Sequence, residues 1–124
     1  MDSGTIGFSG KLDLGRNKVE VKLLLYLFEE DGSHIVFCPH LDLCSYGKTE
    51  EEAMESWKVV LAEYFLYTTN KKTLKEDLQI HGWSVKKKMI PPPEDYMLSH
   101  NPEFNRIYST GRYRKMDYST PIPA

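Results

Sequence analysis

The segment spanning residues 19–29 constrains the fold more than any other, because its apolar pattern changes partway along. Its sequence is VEVKLLLYLFE, and every odd-numbered position before the final Glu is apolar. The even-numbered positions begin with Glu20 and Lys22 but turn apolar from Leu24 onward. A period of two is typical of a β-strand, and a strand that is apolar on both faces needs cover on both sides. We therefore predict a central strand whose second half is buried on both faces.

The residues that follow predict that this strand belongs to a hairpin. Residues 30–33 read EDGS, and Gly32 supplies the positive φ that tight turns require. Residues 34–38 contain β-branched and aromatic side chains and predict a second strand. Pro39 has no N–H group to donate and ends that strand, after which residues 44–47 predict a short third strand.

A long helix is predicted to begin just after Thr49. The Thr49 hydroxyl can accept a hydrogen bond from the amide of Glu52, and the Glu52 carboxylate can accept one from the amide of Thr49. The apolar residues that follow recur at steps of three and four, which places them on one side of a helix. They are Ala53, Trp57, Val60, Leu61, Tyr64 and Phe65. This stripe is predicted to pack on the hairpin.

A second, shorter helix and a further strand are predicted before residue 91. Thr73 and Glu76 repeat the capping pattern, and Gly82 stands where a helix commonly ends. Residues 83–90 then alternate between apolar and polar side chains, which predicts a strand that the prolines at 91–93 terminate. The predicted fold class is α+β: a small antiparallel sheet with βββαβ order packed against one main helix, plus a C-terminal extension.

Composition divides the chain into three parts. Residues 1–18 are rich in glycine and predict a flexible N-terminal lead-in, and residues 19–90 form the predicted domain. Residues 91–124 are a Pro-led extension rich in aromatic and basic side chains. Within it we predict a short helix near residues 102–108 and an extended segment over residues 116–122 that docks on a sheet edge, in the same copy or in another.

Three features of composition predict a cytoplasmic protein that does not associate with membranes. No apolar run approaches the roughly 20 residues that a membrane helix needs. The first ten residues lack the basic start and the apolar stretch of a secretory signal. The 2 cysteines are too few for a disulfide scaffold and are compatible with a reducing compartment.

Charge is distributed unevenly between the two halves of the chain. Residues 1–67 carry 6 basic and 12 acidic side chains, whereas residues 68–124 carry 10 basic and 6 acidic ones. A chain polarised in this way can pair its charges with a partner or with a second copy of itself. We predict a homodimer.

The sequences DGS at residues 31–33 and FCPHLDLCSYGKTEEEA at residues 37–53 resemble the HicB antitoxin family. In that family a turn with Asp-Gly precedes a strand ending in Pro and Leu, and a Gly-x-Thr-x-x-Glu-Ala signature, here Gly47 to Ala53, opens the helix. The resemblance covers about residues 19–90. It implies a degraded ribonuclease H-like fold without a nuclease site. It also implies binding to a HicA-type toxin, an RNA-cleaving protein of a type II toxin–antitoxin system, to mask its active surface.

Family members often append a ribbon-helix-helix or helix-turn-helix segment, and residues 94–124 match neither. The sequence therefore contains no DNA-binding motif of these kinds. Binding to RNA or DNA would have to rest on the basic residues alone.

The side chains with catalytic or metal-binding chemistry predict no reactive site. Cys38, His40 and Cys44 do not have the Cys-x-x-Cys spacing of a zinc site, and two small apolar side chains beside a turn explain the cysteines better. A disulfide between the two is sterically conceivable. A thiol nucleophile paired with His34 or His40 would lack an orienting carboxylate and an oxyanion hole. We predict no catalytic residue, no metal ligand and no cofactor.

A residual ribonuclease H-like nuclease is one functional hypothesis, and the least favoured of the three that the sequence allows. It requires several carboxylates that converge on two metal ions. Asp31, Asp42 and the acidic residues 50–52 are explained instead by a turn, a loop and a helix N-terminus.

Two basic segments contain the candidate partner-binding residues. Lys86, Lys87 and Lys88 either protect an exposed edge strand or contact phosphates or an acidic partner. The extension interleaves arginine and tyrosine, which are favoured both at protein interfaces and on stacked bases. Its candidates are Arg106, Tyr108, Arg112, Tyr113 and Arg114. The first hypothesis is a non-enzymatic antitoxin-like protein, and the second is a stand-alone nucleic-acid-binding module.

Overall fold

The computed structural model describes residues 18–86 and 88–123. Four strands and four helices follow one another along this part of the chain: β1 (Lys18–Glu30), β2 (Ser33–Cys38), β3 (Leu43–Gly47), α1 (Glu50–Lys71), α2 (Leu74–Ile80), α3 (Glu94–His100), α4 (Pro102–Thr110) and β4 (Arg114–Pro123). Residues 1–17 of the predicted N-terminal lead-in lie outside the described residues. Lys87 also lies outside them.

The strands form one antiparallel sheet in the order β3-β2-β1-β4. β1 and β2 make the predicted hairpin around Asp31 and Gly32, with Glu30 opposite Ser33. β3 continues the sheet on the far side of β2. The α+β class is confirmed, and β1 occupies an inner position, as its two-sided apolar pattern predicts.

Each face of the sheet is covered by a different pair of helices. On the first face, the odd-numbered side chains of β1 form a core with α1 and α2, and Leu25 and Trp57 have no exposed area there. On the second face, Tyr26 is fully buried, and its ring centroid lies 4.9 Å from that of Phe104 in α4. The sheet is therefore the middle layer of three, and the C-terminal extension shares a core with the predicted domain.

The predicted strand at residues 83–90 is wrong. That segment makes one bridge, between Ser84 and Ile90, and the position beside β1 is taken by β4. The alternation has a different origin. The side chains of Trp83, Val85 and Met89 pack against the first-face core. Ser84, Lys86 and Lys88 are exposed, so the segment has two unlike faces although its described residues join no strand of the sheet.

The two elements predicted within the extension are confirmed. The short helix near residues 102–108 is α4, and the extended segment over residues 116–122 belongs to β4. β4 docks on β1 of the same copy, in a register that runs from Lys18 opposite Pro123 to Leu27 opposite Arg114. The last strand of the sheet thus comes from the extension.

The capping hydrogen bonds at the starts of α1 and α2 each differ in one detail from those that the sequence predicts. The Thr49 hydroxyl accepts from the Glu52 amide at 3.1 Å as predicted, but the Glu52 carboxylate accepts from the amide of Lys48 at 2.9 Å instead of that of Thr49. At α2, the Thr73 side chain makes no capping hydrogen bond. The Thr73 amide bonds back to the Thr68 carbonyl at the end of α1, which holds Thr73 at ψ 8° instead of the extended ψ of an N-cap.

β3 and α1 approach each other closely at Gly47. A Cβ atom at this position would overlap the backbone nitrogen of Ala53 and the side chain of Glu52. Ala53 has no exposed area, and its carbonyl accepts a hydrogen bond from the Ser45 hydroxyl at 2.8 Å. Packing therefore explains both the glycine and the alanine of the segment from Gly47 to Ala53.

Replacing Gly47 with alanine is expected to lower the free energy of unfolding by about 2–3 kcal/mol, because the new Cβ forces the start of α1 away from β3. Gly111→Ala is the matched control. Gly111 has φ 67° and open space around it, so its substitution is expected to cost about 1 kcal/mol from backbone conformation alone. Denaturant unfolding followed by tryptophan fluorescence measures both variants. Equal losses would contradict the close approach at Gly47.

Candidate functional site

A groove of about 430 Å³ runs along the second face of the sheet, between α4 and β3. Its floor is apolar and is formed by Phe28, Ile35, Phe37 and Ile107. The groove is open because α4 packs over the inner strands and leaves the second-face side chains of β3 accessible. These are Cys44, which is partly buried, and Tyr46, which is 58% exposed.

Four carboxylates surround this floor: Glu30, Asp31, Asp42 and Glu103. Glu30 is the last residue of β1, and Asp31 follows it in the β1–β2 turn. Asp42 lies at the β2–β3 turn, at the opposite end of β2, and Glu103 is on α4. Asp31 and Asp42 have positive φ angles of 52° and 55°, a conformation that Asp tolerates better than most residues. Because the turns at both ends of β2 contain an aspartate with positive φ, a carboxylate stands at each end of the groove.

Arg106 joins two of these carboxylates. Its guanidinium nitrogens lie 2.7 Å from Glu30 and 2.7 Å from Glu103. The hydrogen bond from Arg106 holds the pKa of Glu103 below its usual value, and both carboxylates raise the pKa of Arg106. Arg106 thus stabilises one wall of the groove. Asp31 and Asp42 are the exposed members of the rim that do not pair with it.

Asn101 ties the start of α4 to the β2–β3 turn. Its side-chain oxygen accepts from the amide of Phe104 at 3.1 Å, which caps α4. Its side-chain nitrogen donates to the Asp42 carboxylate at 3.1 Å. One side chain therefore fixes both the first turn of the helix and one end of the groove.

Tyr26 holds the extension that supplies α4 on the sheet. Its hydroxyl donates to Glu94 in the first turn of α3, and Lys115 of β4 lies 3.0 Å from the same carboxylate. Burial, and then the hydrogen bond to Glu94, raise the pKa of Tyr26 well above its ordinary value, so the phenol stays protonated. The hydrogen bond from Tyr26 is also the main cause that lowers the pKa of Glu94. This link fixes α3, and α4 follows directly after it.

The other candidate residues of the extension do not join the groove. Tyr108 and Tyr113 are partly buried against the second-face core, with their ring centroids 5.8 Å apart. Arg114 is paired with Glu50 at the start of α1, and Arg112 is exposed. The tyrosines, which the sequence predicts as partner contacts, therefore pack within the fold.

The two basic segments lie at opposite ends of the main helix. Lys86 lines a second groove at the C-terminal end of α1, and Lys88 is exposed in the same loop. Arg114, by contrast, contacts the first residue of α1. α1 has 22 residues, which corresponds to a length of about 33 Å. The structure does not bring the described candidate residues into one site.

Sequence reasoning missed the groove as a site. Two signals for it were present: the apolar even-numbered positions of β1 and an acidic residue in each of the two turns. The groove itself forms only when β3 pairs with β2 and α4 packs over the sheet, because these contacts bring distant residues such as 28 and 107 together. Tyr46 was the most direct signal, because a large aromatic side chain on a short strand reads as either core or contact surface.

The cysteine and histidine side chains weighed for catalysis lie apart. Cys38 is fully buried on the first face, and burial raises the pKa of its thiol to about 12. His40 is also buried, which lowers its pKa, and it accepts a hydrogen bond from the amide of Leu24 at 3.3 Å. Cys44 opens into the groove on the second face, and its thiol donates to the Tyr46 hydroxyl at 3.2 Å. The two cysteines are free thiols on opposite faces of the sheet, so the disulfide considered from the sequence does not form.

Across residues 18–86 and 88–123, no three His, Cys, Asp or Glu side chains converge on a point that could hold a metal ion. Asp31 and Asp42, the carboxylates of the nuclease hypothesis, stand at opposite ends of the groove. In this part of the chain no helix combines the length and apolar character that crossing a membrane requires. Comparisons with models of known families, with curated proteins and with solved structures give no match to this chain.

In the native protein, a water-soluble maleimide is expected to modify Cys44 and to leave Cys38 unmodified. The Cys38 thiol has no exposed area, and its raised pKa leaves almost no reactive thiolate at neutral pH. Mass spectrometry should therefore count one adduct per chain in buffer and two in guanidinium chloride. Cys44→Ser is the control and should remove the native adduct. Equal labelling rates at both thiols in buffer would contradict the assignment of Cys44 to an accessible groove.

Proposed function

We propose that this chain is a non-enzymatic, antitoxin-like protein whose acid-rimmed groove binds a basic protein of the HicA-type, RNA-cleaving kind. The observation that carries the proposal is the groove between α4 and β3, with an apolar floor and exposed carboxylates at both ends. A central apolar area with a charged rim is the general anatomy of a protein-binding surface.

The chemistry of the partner follows from the charge of the rim. A protein that cleaves RNA binds phosphate groups, and it does so with lysine and arginine side chains. Masking such a surface requires opposite charge, which the exposed Asp31 and Asp42 supply. An apolar side chain of the partner would enter between them. Glu30 and Glu103 contribute less, because Arg106 already offsets part of their charge.

β3 offers this partner a second kind of contact. In the sheet formed by the described residues it is an edge strand, with β2 on one side. The outward N–H and C=O groups of an edge strand can pair with an extended segment of another protein. Such a segment would lie beside Tyr46 and would border the groove along its length.

The chemistry of the groove lining supports a binding role. The described residues that line the groove include neither histidine nor lysine. The Cys44 thiol in the groove donates to Tyr46, and none of the described residues that line the groove is a basic side chain that could activate it. Cys38 belongs to the core of the opposite face, and the His40 ring is engaged by the backbone amide of Leu24.

The test uses two asparagine substitutions that remove charge and keep the turns. Asn tolerates positive φ as Asp does, so Asp31→Asn combined with Asp42→Asn should fold normally. The partner is the protein encoded beside this gene, co-expressed and purified. The double variant is expected to bind it about tenfold more weakly, with a slower association rate and a weaker dependence on salt.

The matched control also removes two charges, by Glu20→Gln combined with Glu63→Gln. Both residues are exposed and lie outside the groove. This variant should bind like the wild type. Unchanged affinity in the asparagine double variant would contradict the groove as the contact surface. Absence of binding to the neighbouring gene product would contradict the proposed partner.

The homodimer, which is also a proposal, would use the other edge of the sheet. In the described part of the chain, the outer side of β4 has no neighbouring strand. Pro121 and Pro123 cannot donate to a ladder, which confines pairing to the first part of β4. Antiparallel pairing centred on Met116 would place Lys115 opposite Asp117 of the second copy, so that opposite charges meet twice.

Asp117→Lys is therefore expected to reduce the dimer fraction, because each Lys115 would then face a second cation. Analytical ultracentrifugation at several protein concentrations measures this fraction. Asp95→Lys, an exposed acid on α3, is the control. An equal dimer fraction in both variants would show that β4 is not the contact.

A further inference from the structure

A second groove, of about 560 Å³, lies between the C-terminal end of α1, α2 and the loop that follows α2. It is lined by Thr68, Thr69, Lys72, Leu74, Lys75, Glu76, Gln79, Val85 and Lys86. Its position at the far end of α1 separates it from the acid-rimmed groove. Its charge is also of the opposite sign.

The lining places three ammonium groups, from Lys72, Lys75 and Lys86, against one carboxylate, from Glu76. Within residues 18–86 and 88–123, no carboxylate lies within salt-bridge distance of these three lysines, whereas Lys58 and Lys115 both have such partners. The described part of the chain therefore leaves the positive charge of this groove largely unbalanced.

Two of these lysines occupy positions that local backbone energetics disfavours. Lys72 is the C-cap of α1 and has φ 57° and ψ 38°, a left-handed conformation usually taken by Gly or Asn. Lys75 lies in the first turn of α2, where the positive end of the helix dipole repels a cation. The C-terminal end of α1 favours the charge of Lys72 but not its left-handed backbone, and the start of α2 disfavours the charge of Lys75. A negatively charged ligand would offset both costs.

An exposed aromatic side chain lies outside the groove, near the same end of α1 but on another side of the helix from Thr69. Tyr67 is 63% exposed, and the ammonium of Lys71 lies 6.0 Å from the centre of its ring. Exposed aromatic rings next to lysines are the usual platform for unpaired bases, which stack on the ring while the phosphates contact the cations. Leu74 and Val85 add apolar surface within the groove.

We propose that this groove binds single-stranded nucleic acid, with phosphates on Lys72, Lys75 and Lys86, and that the strand continues around the end of α1 to stack a base on Tyr67. The proposal does not rest on the protein-binding function above, because no residue that lines one groove lines the other.

The binding experiment uses a fluorescently labelled 12-nucleotide oligouridylate, and a deoxythymidylate of the same length, followed by fluorescence anisotropy. Three phosphate contacts to a single strand correspond to a salt slope of about −2, or a loss of about 20-fold in affinity between 50 and 200 mM salt. Duplex RNA of equal length should compete poorly, because paired bases cannot stack on Tyr67. Stronger binding of either labelled strand identifies which nucleic acid the groove prefers.

Lys72→Gly is the decisive variant, because its two effects should have opposite signs. Affinity for the labelled strand should fall about threefold to tenfold with a shallower salt slope. The midpoint of thermal unfolding should rise by about 3 °C, since glycine accepts the left-handed conformation freely. Lys75→Gln combined with Lys86→Gln should abolish most of the remaining binding. Lys58→Gln, on the same helix and outside the groove, should change nothing.

Several results would overturn the proposal. They are a salt-independent affinity, unaltered binding by the Lys75→Gln and Lys86→Gln double variant, or a lower unfolding midpoint for Lys72→Gly. Competition by polyglutamate at equal charge concentration would assign the groove to acidic proteins instead. The Asp31→Asn and Asp42→Asn double variant should bind the labelled strand like the wild type, so failure of either proposal leaves the other intact.

Discussion

The burial of β1 on both faces is the constraint on which the rest of the structure depends. Leu25 and Tyr26 are neighbours in sequence, point to opposite faces, and are both fully buried. Burying each large apolar side chain contributes about 1.5–3 kcal/mol, and neither can be buried unless its own face is covered. α1 and α2 cover the first face, and α3 and α4 cover the second. The C-terminal extension is therefore part of the sheet and of the core.

Local pattern was sufficient to predict the elements whose evidence is contiguous in sequence. The hairpin, the start of α1 at Thr49 and the helix α4 each follow from residues within a few positions of one another. The prediction of a strand at residues 83–90 was wrong because alternation indicates which side chains face a core. It does not indicate whether another strand has a free edge to pair with. β1 accepts only one strand on that side, and β4 reaches it from almost a hundred residues away. The groove could not be predicted because it joins residues from β1, β2, β3 and α4.

The charge asymmetry of the sequence reappears as a separation in space. The acid-rimmed groove lies on the second face of the sheet, between α4 and β3, and the lysine-lined groove lies at the C-terminal end of α1. Side chains that look alike in the sequence act differently in the two places. Arg106 is engaged with Glu30 and Glu103, so it orders a wall, whereas Lys72, Lys75 and Lys86 surround an open space. Whether the charges of a cluster are already paired within the fold therefore says more about binding than whether the cluster is positive or negative.

The register between β1 and β4 has a mechanical consequence. Lys18 is opposite Pro123, so the chain enters and leaves this sheet at adjacent points. Tension applied at those two points would open the β1–β4 ladder one pair at a time, like a zipper, because each bond is loaded only after the previous one has broken. A protein with this geometry can be stable toward denaturants and still unfold under a small force that pulls these two points apart.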